Sequence, residues 1–242
     1  MGVESSAQAV VVIPTYNERE NIESIVDAVM SLPVNAYVTI VDDNSPDGTG
    51  EIADAISARE ARVSVLHRQC KMGLGSAYIA GFKHALEQGA QFVLEMDADF
   101  SHNPADIPRL LRAAHEHDVV VGSRYVQGGG TDNWGLVRQL ISRGGSLYAR
   151  IILGMPIWDL TGGFNCWCRR VLEAVDLDAV TSNGYAFQIE MKYRAFRRGF
   201  SLAEEPILFV DRRVGQSKMS GNIVREAFWK VWKFRLDRRI GR

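Results

Sequence analysis

Short apolar runs alternate with helix-forming segments through the first half of the chain, and this alternation limits the possible folds more than any other feature. The run AVVVI at 9–13 is apolar throughout, which is typical of a strand buried on both faces. The next segment places Ile22, Ile25, Val26 and Val29 on one helical face. The alternation continues, with further strands predicted at 37–41, 63–66, 91–94 and 119–121. Repeated units of this kind predict an α/β fold with a mostly parallel sheet flanked by helices.

The regular alternation of strands and helices ends near Arg124, and the remainder of the chain has a less regular pattern. Apolar residues and arginines alternate from Leu136 to Leu153 in a pattern that predicts an amphipathic helix. We also predict strands at 161–168 and 207–210, and helices at 185–198 and 222–240. The simplest organisation is one domain over residues 1–221, with a basic, aromatic C-terminal helix at 222–242 as an appendage.

The distribution of charge distinguishes this appendage from the rest of the chain. The whole sequence has a formal net charge of −1, so no overall positive field favours nucleic acid. Residues 222–242 contain seven Lys or Arg and two acidic residues, which gives this segment +5 and the rest −6. We therefore expect an anionic partner for the C-terminal helix, such as a membrane surface.

The cysteines and the short apolar runs indicate a cytoplasmic protein. Cys70, Cys166 and Cys168 form a poor disulfide framework, and we expect reduced thiols. The N-terminus lacks a signal-peptide pattern, and no apolar run approaches the ~18 residues of a membrane span. We expect a chain that does not cross a membrane by itself.

Two aspartates follow the fourth predicted strand, in the sequence LEMDADFSH. Like charges this close raise each other's pKa unless a cation lies between them or both face water. Asp97 and Asp99 are therefore candidate ligands of Mg²⁺ or Mn²⁺, which bind carboxylates together with substrate phosphates. An isolated pair could instead be solvated or cap the next helix, but the position at a strand end favours the metal.

Other polar segments also follow predicted strands, namely 14–18, Asp42–Asp43 and Ser123–Arg124. Ligands of parallel sheets bind at the carboxyl ends of the strands, so these segments should share one crevice. Tyr16 suits stacking on a nucleotide base, and Asp43 suits accepting its N–H groups. Alternatively, Asp42 and Asp43 only begin the turn that follows. The glycines of GLG at 73–75 do not match a dinucleotide-binding fingerprint.

Four basic residues lie in polar segments near these strand ends: Arg124, Arg138, Arg212 and Lys218. Arginine binds phosphate oxygens through a rigid fork and lysine binds them as a point charge. Each residue alone could be a surface charge. Arg212 and Lys218 are more suggestive, because they flank a glycine-containing loop.

Several motifs resemble a known family. VIPTYNE at 12–18, VDDNSPDGT at 41–49 and MDAD at 96–99 resemble family-two inverting glycosyltransferases of the GT-A fold, a Rossmann-like α/β fold. GSRY at 122–125, DLTGGF at 159–164 and GYAFQIE at 184–190 resemble the dolichol-phosphate mannose synthases. The ending SKMSGNI at 217–223 is similar to the actinobacterial polyprenol-phosphate mannose synthases.

This resemblance implies GDP-mannose as donor, a polyprenyl monophosphate as acceptor and Mg²⁺ or Mn²⁺ as cofactor. The guanosine would be held by Pro14, Tyr16, Glu18, Val41 and Asp43. The diphosphate and metal would meet Asp97, Ala98 and Asp99, and the phosphates would be surrounded by Arg124, Arg138, Arg212 and Lys218. Ser101 stands where some relatives have a metal-binding glutamine. A serine hydroxyl is a shorter and weaker ligand.

The expected chemistry is attack by an acceptor phosphate oxygen on the anomeric carbon of mannose, with inversion and release of GDP. A phosphate monoester has a second pKa near ~6 and needs no general base at neutral pH. Many family-two enzymes carry a Glu-Asp pair where this chain has Phe187–Gln188, which fits a phosphate acceptor. The alternative is that Glu190 or Asp159 acts as the base.

A polyprenyl acceptor requires contact with a membrane. The segment 136–158 and the C-terminal helix are candidates to lie in the interface, which predicts a peripheral protein on the cytoplasmic face. Alternatively, the C-terminal helix packs on the domain. A separate transmembrane subunit is a further potential partner, as in some relatives without spans. The competing functions are a glucosyltransferase using UDP-glucose and a non-catalytic nucleotide-binding partner of a membrane protein.

Overall fold

The computed structural model describes residues 8–211, 221–237 and 239–240, with the backbone alone for 221–227. The elements in chain order are β1 (Ala9–Thr15), α1 (Ile22–Met30), β2 (Ala36–Asp42), α2 (Thr49–Arg59), β3 (Val63–His67), α3 (Leu74–Glu87), β4 (Phe92–Glu95), α4 (Ile107–Ala114), β5 (Val119–Ser123), β6 (Gly130–Asp132), α5 (Leu136–Leu153), β7 (Asn165–Cys168), α6 (Arg169–Ala174), α7 (Gly184–Arg197), β8 (Leu202–Pro206), β9 (Leu208–Val210) and α8 (Gly221–Leu236).

The main sheet has seven strands in the order β3-β2-β1-β4-β7-β5-β8. Strands β1 to β4 are mutually parallel, and β8 is parallel to β5. Strand β7 is antiparallel to both of its neighbours, β4 and β5. This architecture confirms the predicted α/β fold with a mostly parallel sheet. The carboxyl ends of β1, β2 and β4 lie at one edge, since these strands are parallel.

Two predicted strands differ from the structure. The strand predicted at 161–168 begins only at Asn165, because residues 161–164 form a loop. The strand predicted at 207–210 is β9, which pairs with β6 in a separate two-stranded sheet. Strand β8 was not predicted, because its sequence LAEEP offers neither an apolar run nor a clean alternation.

Helix α8 packs against α5 and α7. Its side chains Val231 and Phe234 are almost fully buried, and so is Ile240 just beyond it, whereas Trp229 is 68% exposed. One face of this helix therefore packs on the domain, as the alternative interpretation expected. The division of the chain at residues 221 and 222 stays a prediction, and so does a role of the C-terminal segment at a membrane.

Helix α3 lies unusually close to the sheet at Gly81. A Cβ atom at this position would lie 2.3 Å from Val12 Cγ1 and 3.1 Å from Val41 Cγ2. Both valines are completely buried in β1 and β2, so neither has space to move away. Glycine at this position thus sets the distance between the helix and the strands that carry the polar edge.

We predict that Gly81→Ala destabilises the protein by about 2 kcal/mol, because overpacking outweighs the better helix propensity of alanine. The matched control is Gly144→Ala in α5, where a Cβ atom would have no neighbour within 4 Å. That change should stabilise the protein by roughly 0.5–1 kcal/mol. Urea unfolding measures both values. Equal effects of the two substitutions would contradict the close approach at Gly81.

Candidate active site

A cavity of about 370 Å³ opens at the polar edge of the sheet. It lies where β1, β2 and β4 end, and segments from α3, α5 and α7 complete its wall. Its lining comprises Pro14, Thr15, Tyr16, Glu18, Asp43, Lys71, Gly73, Leu74, Ala77, Asp97, Ala98, Asp99, His102, Arg124, Trp134, Arg138, Thr161, Gly163, Gly184, Tyr185, Gln188 and Phe209. The cavity thus has carboxylates, aromatic rings and guanidinium groups in one space.

The structure brings most of the predicted site residues to this cavity. Nine of them line it: Pro14, Tyr16, Glu18, Asp43, Asp97, Ala98, Asp99, Arg124 and Arg138. Val41 and Ser101 are buried and are not part of the lining. Arg212 and Lys218 lie outside the described residues, so their predicted roles stay predictions.

The acidic end of the cavity is formed by a tight turn after β4. Asp97 Oδ1 accepts a hydrogen bond from the Tyr78 hydroxyl at 3.1 Å, and the Asp97 N–H donates to His102 Nδ1 at 3.2 Å. Asp99 Oδ1 accepts from the Ser101 N–H at 3.1 Å. Phe100, which lies between Asp99 and Ser101, has a φ of +59°, the left-handed conformation that reverses the chain. Both aspartates are therefore fixed at the cavity by their own turn.

The donor set of this turn fits a hard divalent cation. Asp97 and Asp99 both line the cavity, and carboxylate oxygens are the ligands that Mg²⁺ and Mn²⁺ prefer. The Ser101 hydroxyl is buried beside them and has no hydrogen-bond partner within the described residues. Among those residues, no cluster unites three or more acidic, histidine or cysteine ligands. A cation would therefore have two protein carboxylates and complete its shell with substrate phosphates and water.

His102 is a site residue that the sequence interpretation missed. Its ring stacks on Phe164 with centroids 4.9 Å apart and meets Phe209 edge-on at 5.3 Å. Burial lowers the pKa of this imidazole, although the carboxylates of Asp97 and Asp99 oppose that shift. Its Nδ1 atom accepts the Asp97 N–H, so the ring serves as a hydrogen-bond acceptor for the acidic turn. Only the sequence position next to MDAD could have suggested it.

The opposite end of the cavity suits a nucleotide base. Lys71 Nζ lies 3.8 Å from the centre of the Tyr16 ring, and Arg68 Nη1 lies 3.0 Å from Asp43 Oδ1. Burial raises the pKa of Asp43 more than the charge of Arg68 lowers it. Asp42 instead accepts hydrogen bonds from Ser45 and Thr15. The two adjacent aspartates therefore have different roles. Asp42 stabilises the turn through hydrogen bonds, and Asp43 lines the cavity.

The basic wall is held by ion pairs. Arg124 binds Asp159 through two contacts of 2.7 Å, and both side chains are buried. Burial alone would raise the pKa of Asp159, but the Arg124 guanidinium holds it below its ordinary value. Arg138 donates to Asp211 at 2.9 Å and stacks over Trp134 at 4.0 Å. Arg124 and Arg138 thus reach the cavity as anchored cations.

Neither carboxylate named as an alternative base lines the cavity. Asp159 is paired with Arg124, and Glu190 accepts two hydrogen bonds from Arg194 one turn along α7. Gln188 does line the cavity and donates to the buried carboxylate of Glu95. The side chain that α7 contributes to this part of the cavity is thus an amide, and an amide cannot act as a base.

A second cavity of about 300 Å³ lies between α5, α7 and α8. Its lining is mostly apolar and comprises Ile141, Ser142, Gly144, Gly145, Tyr148, Thr161, Tyr185, Ile189, Phe228 and Val231. Thr161 and Tyr185 belong to both cavities. The stacked rings of Tyr148 and Phe228, 4.4 Å apart, line it where α5 meets α8. We call this space the apolar chamber.

Helices α5 and α8 also expose many large apolar side chains. On α5, at least 70% of the surface is exposed for each of Leu136, Val137, Leu140 and Ile151. On α8, Leu236 is 73% exposed and Trp229 is 68% exposed. We call the exposed apolar residues of these two helices the apolar face. Arg143, Lys233 and Arg235 are exposed on the same helices. Within the described ranges, no helix combines the length and apolar character required to cross a membrane.

Solved structures with low sequence identity share this fold. Glucosyl-3-phosphoglycerate synthase from Mycobacterium tuberculosis, in complex with Mn²⁺, UDP and glucosyl-3-phosphoglycerate, aligns with a TM-score of 0.71 over 96% of this chain and 81% of that chain, at 20% identity. Its complex with Mg²⁺ and UDP aligns with a TM-score of 0.70 at 19% identity, over 96% and 80% of the two chains. These structures show that the chain has the glycosyltransferase fold that its motifs predicted.

Two relatives are similar over nearly their full length. Polyprenol monophosphomannose synthase from Mycolicibacterium smegmatis is 46% identical over 245 residues, covering 99% of this chain and 92% of the relative. Undecaprenyl-phosphate mannosyltransferase from Micrococcus luteus is 48% identical over 228 residues, covering 94% of each. The sequence model of glycosyl transferase family 2 matches residues 10–176. The motif resemblance is thereby confirmed, and the chain belongs to glycosyl transferase family 2 and is a glycosyltransferase.

Proposed function

We propose that this enzyme transfers mannose from GDP-mannose to the phosphate of a polyprenyl monophosphate, with inversion, giving polyprenyl-phosphate mannose and GDP. The observation that carries the proposal is the junction of the two cavities at Thr161 and Tyr185. A polar cavity with acids and cations adjoins a chamber lined mainly by apolar side chains. This combination fits an acceptor that has a phosphate at one end and a hydrocarbon chain at the other. The names of the two close relatives, both mannosyl-lipid synthases, support it.

The donor would lie along the polar cavity, with the base near Tyr16 and the diphosphate near the acidic turn. Pro14, Tyr16 and Glu18 line this part of the cavity and would surround the base, and Asp43 would offer carboxylate oxygens to the N–H groups of guanine. Asp97 and Asp99 would hold a divalent cation, which neutralises the charge that develops on a leaving diphosphate. This arrangement supports GDP-mannose as donor and Mg²⁺ or Mn²⁺ as cofactor.

The reaction depends on positioning and charge more than on proton transfer. The acceptor phosphate is ionised at neutral pH, since its second pKa is near ~6, so its oxygen can attack the anomeric carbon directly. Arg124 and Arg138 are anchored by Asp159 and Asp211, and fixed cations stabilise developing negative charge without reorganisation. Arg212 and Lys218 would add to this positive wall. The amide of Gln188 fits a mechanism that has no general base.

The apolar face would rest on the cytoplasmic surface of a membrane. Large apolar side chains with exposed lysines and arginines are typical of helices that lie in a lipid interface. The apolar chamber lies between the same two helices, so an acceptor could enter it while its chain stays in the lipid. This supports a peripheral enzyme, with a transmembrane subunit as an additional partner.

We predict that Asp97→Asn or Asp99→Asn lowers mannosyl transfer by at least roughly a thousandfold, because each removes a charged ligand of the cation and diphosphate. The assay follows radiolabel from GDP-mannose into polyprenyl phosphate with Mg²⁺, alongside UDP-glucose as competing donor. Asp27→Asn, on the exposed face of α1, is the matched control and should keep full activity. Transfer at the normal rate by either site variant would contradict the proposed role of the turn. Preference for UDP-glucose would show that the enzyme is a glucosyltransferase. Failure to transfer either sugar would indicate a protein that binds nucleotide without catalysis.

We predict that Gly145→Leu raises the KM for polyprenyl phosphate roughly thirtyfold, because the new side chain fills space that hydrocarbon would occupy, a loss of about 2 kcal/mol. Gly145 lines the apolar chamber, and a Cβ atom there has no neighbour within 4 Å, so the protein should still fold. The KM for GDP-mannose should not change. Leu147→Phe adds bulk to the same helix outside the chamber and serves as control. Equal acceptor KM values for Gly145→Leu and wild type would show that the chain lies elsewhere.

We predict that Leu140→Glu weakens binding to vesicles of phosphatidylglycerol and phosphatidylcholine roughly tenfold, because it removes an apolar contact and adds repulsion from anionic lipid. A chain that ends at Gly221 should also bind more weakly, since it lacks the basic aromatic helix. Met72→Glu changes an exposed apolar residue outside the apolar face and is the control. Flotation measures the bound fraction. Unchanged binding of both altered chains would exclude these helices as the membrane contact.

A further inference from the structure

Tyr78 is a buried tyrosine whose side-chain hydroxyl contacts the acidic turn from α3. The residue lies on α3, is 0% exposed and is not part of the cavity lining. Its hydroxyl donates to Asp97 Oδ1 at 3.1 Å. It therefore contacts a proposed cation ligand without being able to contact substrate itself.

The position of this hydroxyl is determined by packing on two sides. The Tyr78 ring stacks on Phe187 of α7, with centroids 6.0 Å apart and planes within 5°. It also stacks on Phe82, one turn along α3, at 5.9 Å. The close approach of α3 to the sheet at Gly81 fixes the helix that carries the ring. A ring held in this way has little freedom to move its hydroxyl away from Asp97.

Asp97 is thus held through both its side chain and its backbone. Tyr78 binds the carboxylate, while His102 Nδ1 accepts the Asp97 N–H at 3.2 Å. Groups that orient metal-binding side chains raise metal affinity, because the ligand then loses less freedom when the cation binds.

We propose that Tyr78 is a positioning residue that orients the Asp97 carboxylate for the divalent cation and thereby sets the affinity of the site for that cation. This inference rests on the proposed function, because it requires that Asp97 binds the metal. A purely structural tyrosine would stabilise the fold equally well, but its loss would leave cation affinity unchanged. The two roles therefore differ in a measurable quantity.

The test compares Mn²⁺ binding by wild type and Tyr78→Phe in the presence of saturating GDP, with free Mn²⁺ measured by electron paramagnetic resonance. The variant removes one oxygen atom and keeps the ring. We expect its Mn²⁺ dissociation constant to rise about tenfold, in the range typical of lost ligand-orienting contacts. Binding of GDP without metal should stay the same. Activity should recover in part at high Mn²⁺, as for a site with reduced affinity and intact chemistry.

Tyr193→Phe is the matched control. Tyr193 is equally buried and also lies on a helix, α7, but its hydroxyl accepts a hydrogen bond from Arg197 at 2.9 Å. It should lose some thermal stability and keep the wild-type Mn²⁺ affinity. A general effect of removing a buried hydroxyl would change both variants alike and would overturn the proposal.

Stability and affinity are separated by a second measurement. The rise in Tm on adding Mn²⁺ and GDP is recorded for each protein relative to its own value without ligands, so a less stable variant is still informative. A smaller rise for Tyr78→Phe than for Tyr193→Phe is expected. Equal rises, or equal Mn²⁺ constants, would overturn the role of Tyr78 and leave the proposed function intact. Failure of wild type to bind Mn²⁺ with GDP would overturn the proposed cation site itself.

Discussion

The buried carboxylate of Glu95 connects the three elements beneath the active-site cavity. It accepts hydrogen bonds from Trp167 Nε1 at 2.7 Å and from Asn165 Nδ2 at 3.2 Å, both on β7, and from Gln188 of α7. Burial raises its pKa, and these donors together with the nearby charge of Lys192 oppose that shift. A buried acid without such partners would be strongly destabilising. The strand that carries the acidic turn is therefore tied to the antiparallel strand and to the helix on the other side of the cavity.

The same network positions the loop between the two cavities. Lys192 is fully buried and donates to the carbonyl oxygens of Leu160 and Gly162, at 3.2 and 2.6 Å. Burial lowers its pKa, whereas the charges of Asp159 and Glu95 favour its protonated form. Thr161 lies between those carbonyls and belongs to both cavities. The junction that supports a lipid-phosphate acceptor is thus held by backbone contacts to a buried cation.

The features of this structure that could be predicted from sequence are those set by local patterns. Features that depend on contacts between distant segments could not be predicted. The helix predicted at Leu136–Leu153 has these bounds in the structure, because amphipathic spacing is a local property. The convergence of strand ends also followed from the sequence, since parallel strands share an edge. The antiparallel direction of β7 had no local signal, and β8 has two glutamates where an apolar run was sought. One of them, Glu204, accepts the N–H groups of Trp158 and Asp159, a contact that no sequence pattern displays.

In helix α5, the features that reduce its stability in water are also the features that the proposed function would use. Of its eighteen residues only Ser146, Ala149 and Leu153 are buried, so packing on the domain stabilises it weakly. It also contains Gly144 and Gly145 in its interior, and each glycine costs about 1 kcal/mol relative to alanine. These costs would be reduced at a lipid surface, where the exposed leucines, isoleucines and valine of this helix would leave water. The two glycines leave the space of the apolar chamber open, so the features that weaken the helix in water are the ones that a polyprenyl acceptor would use.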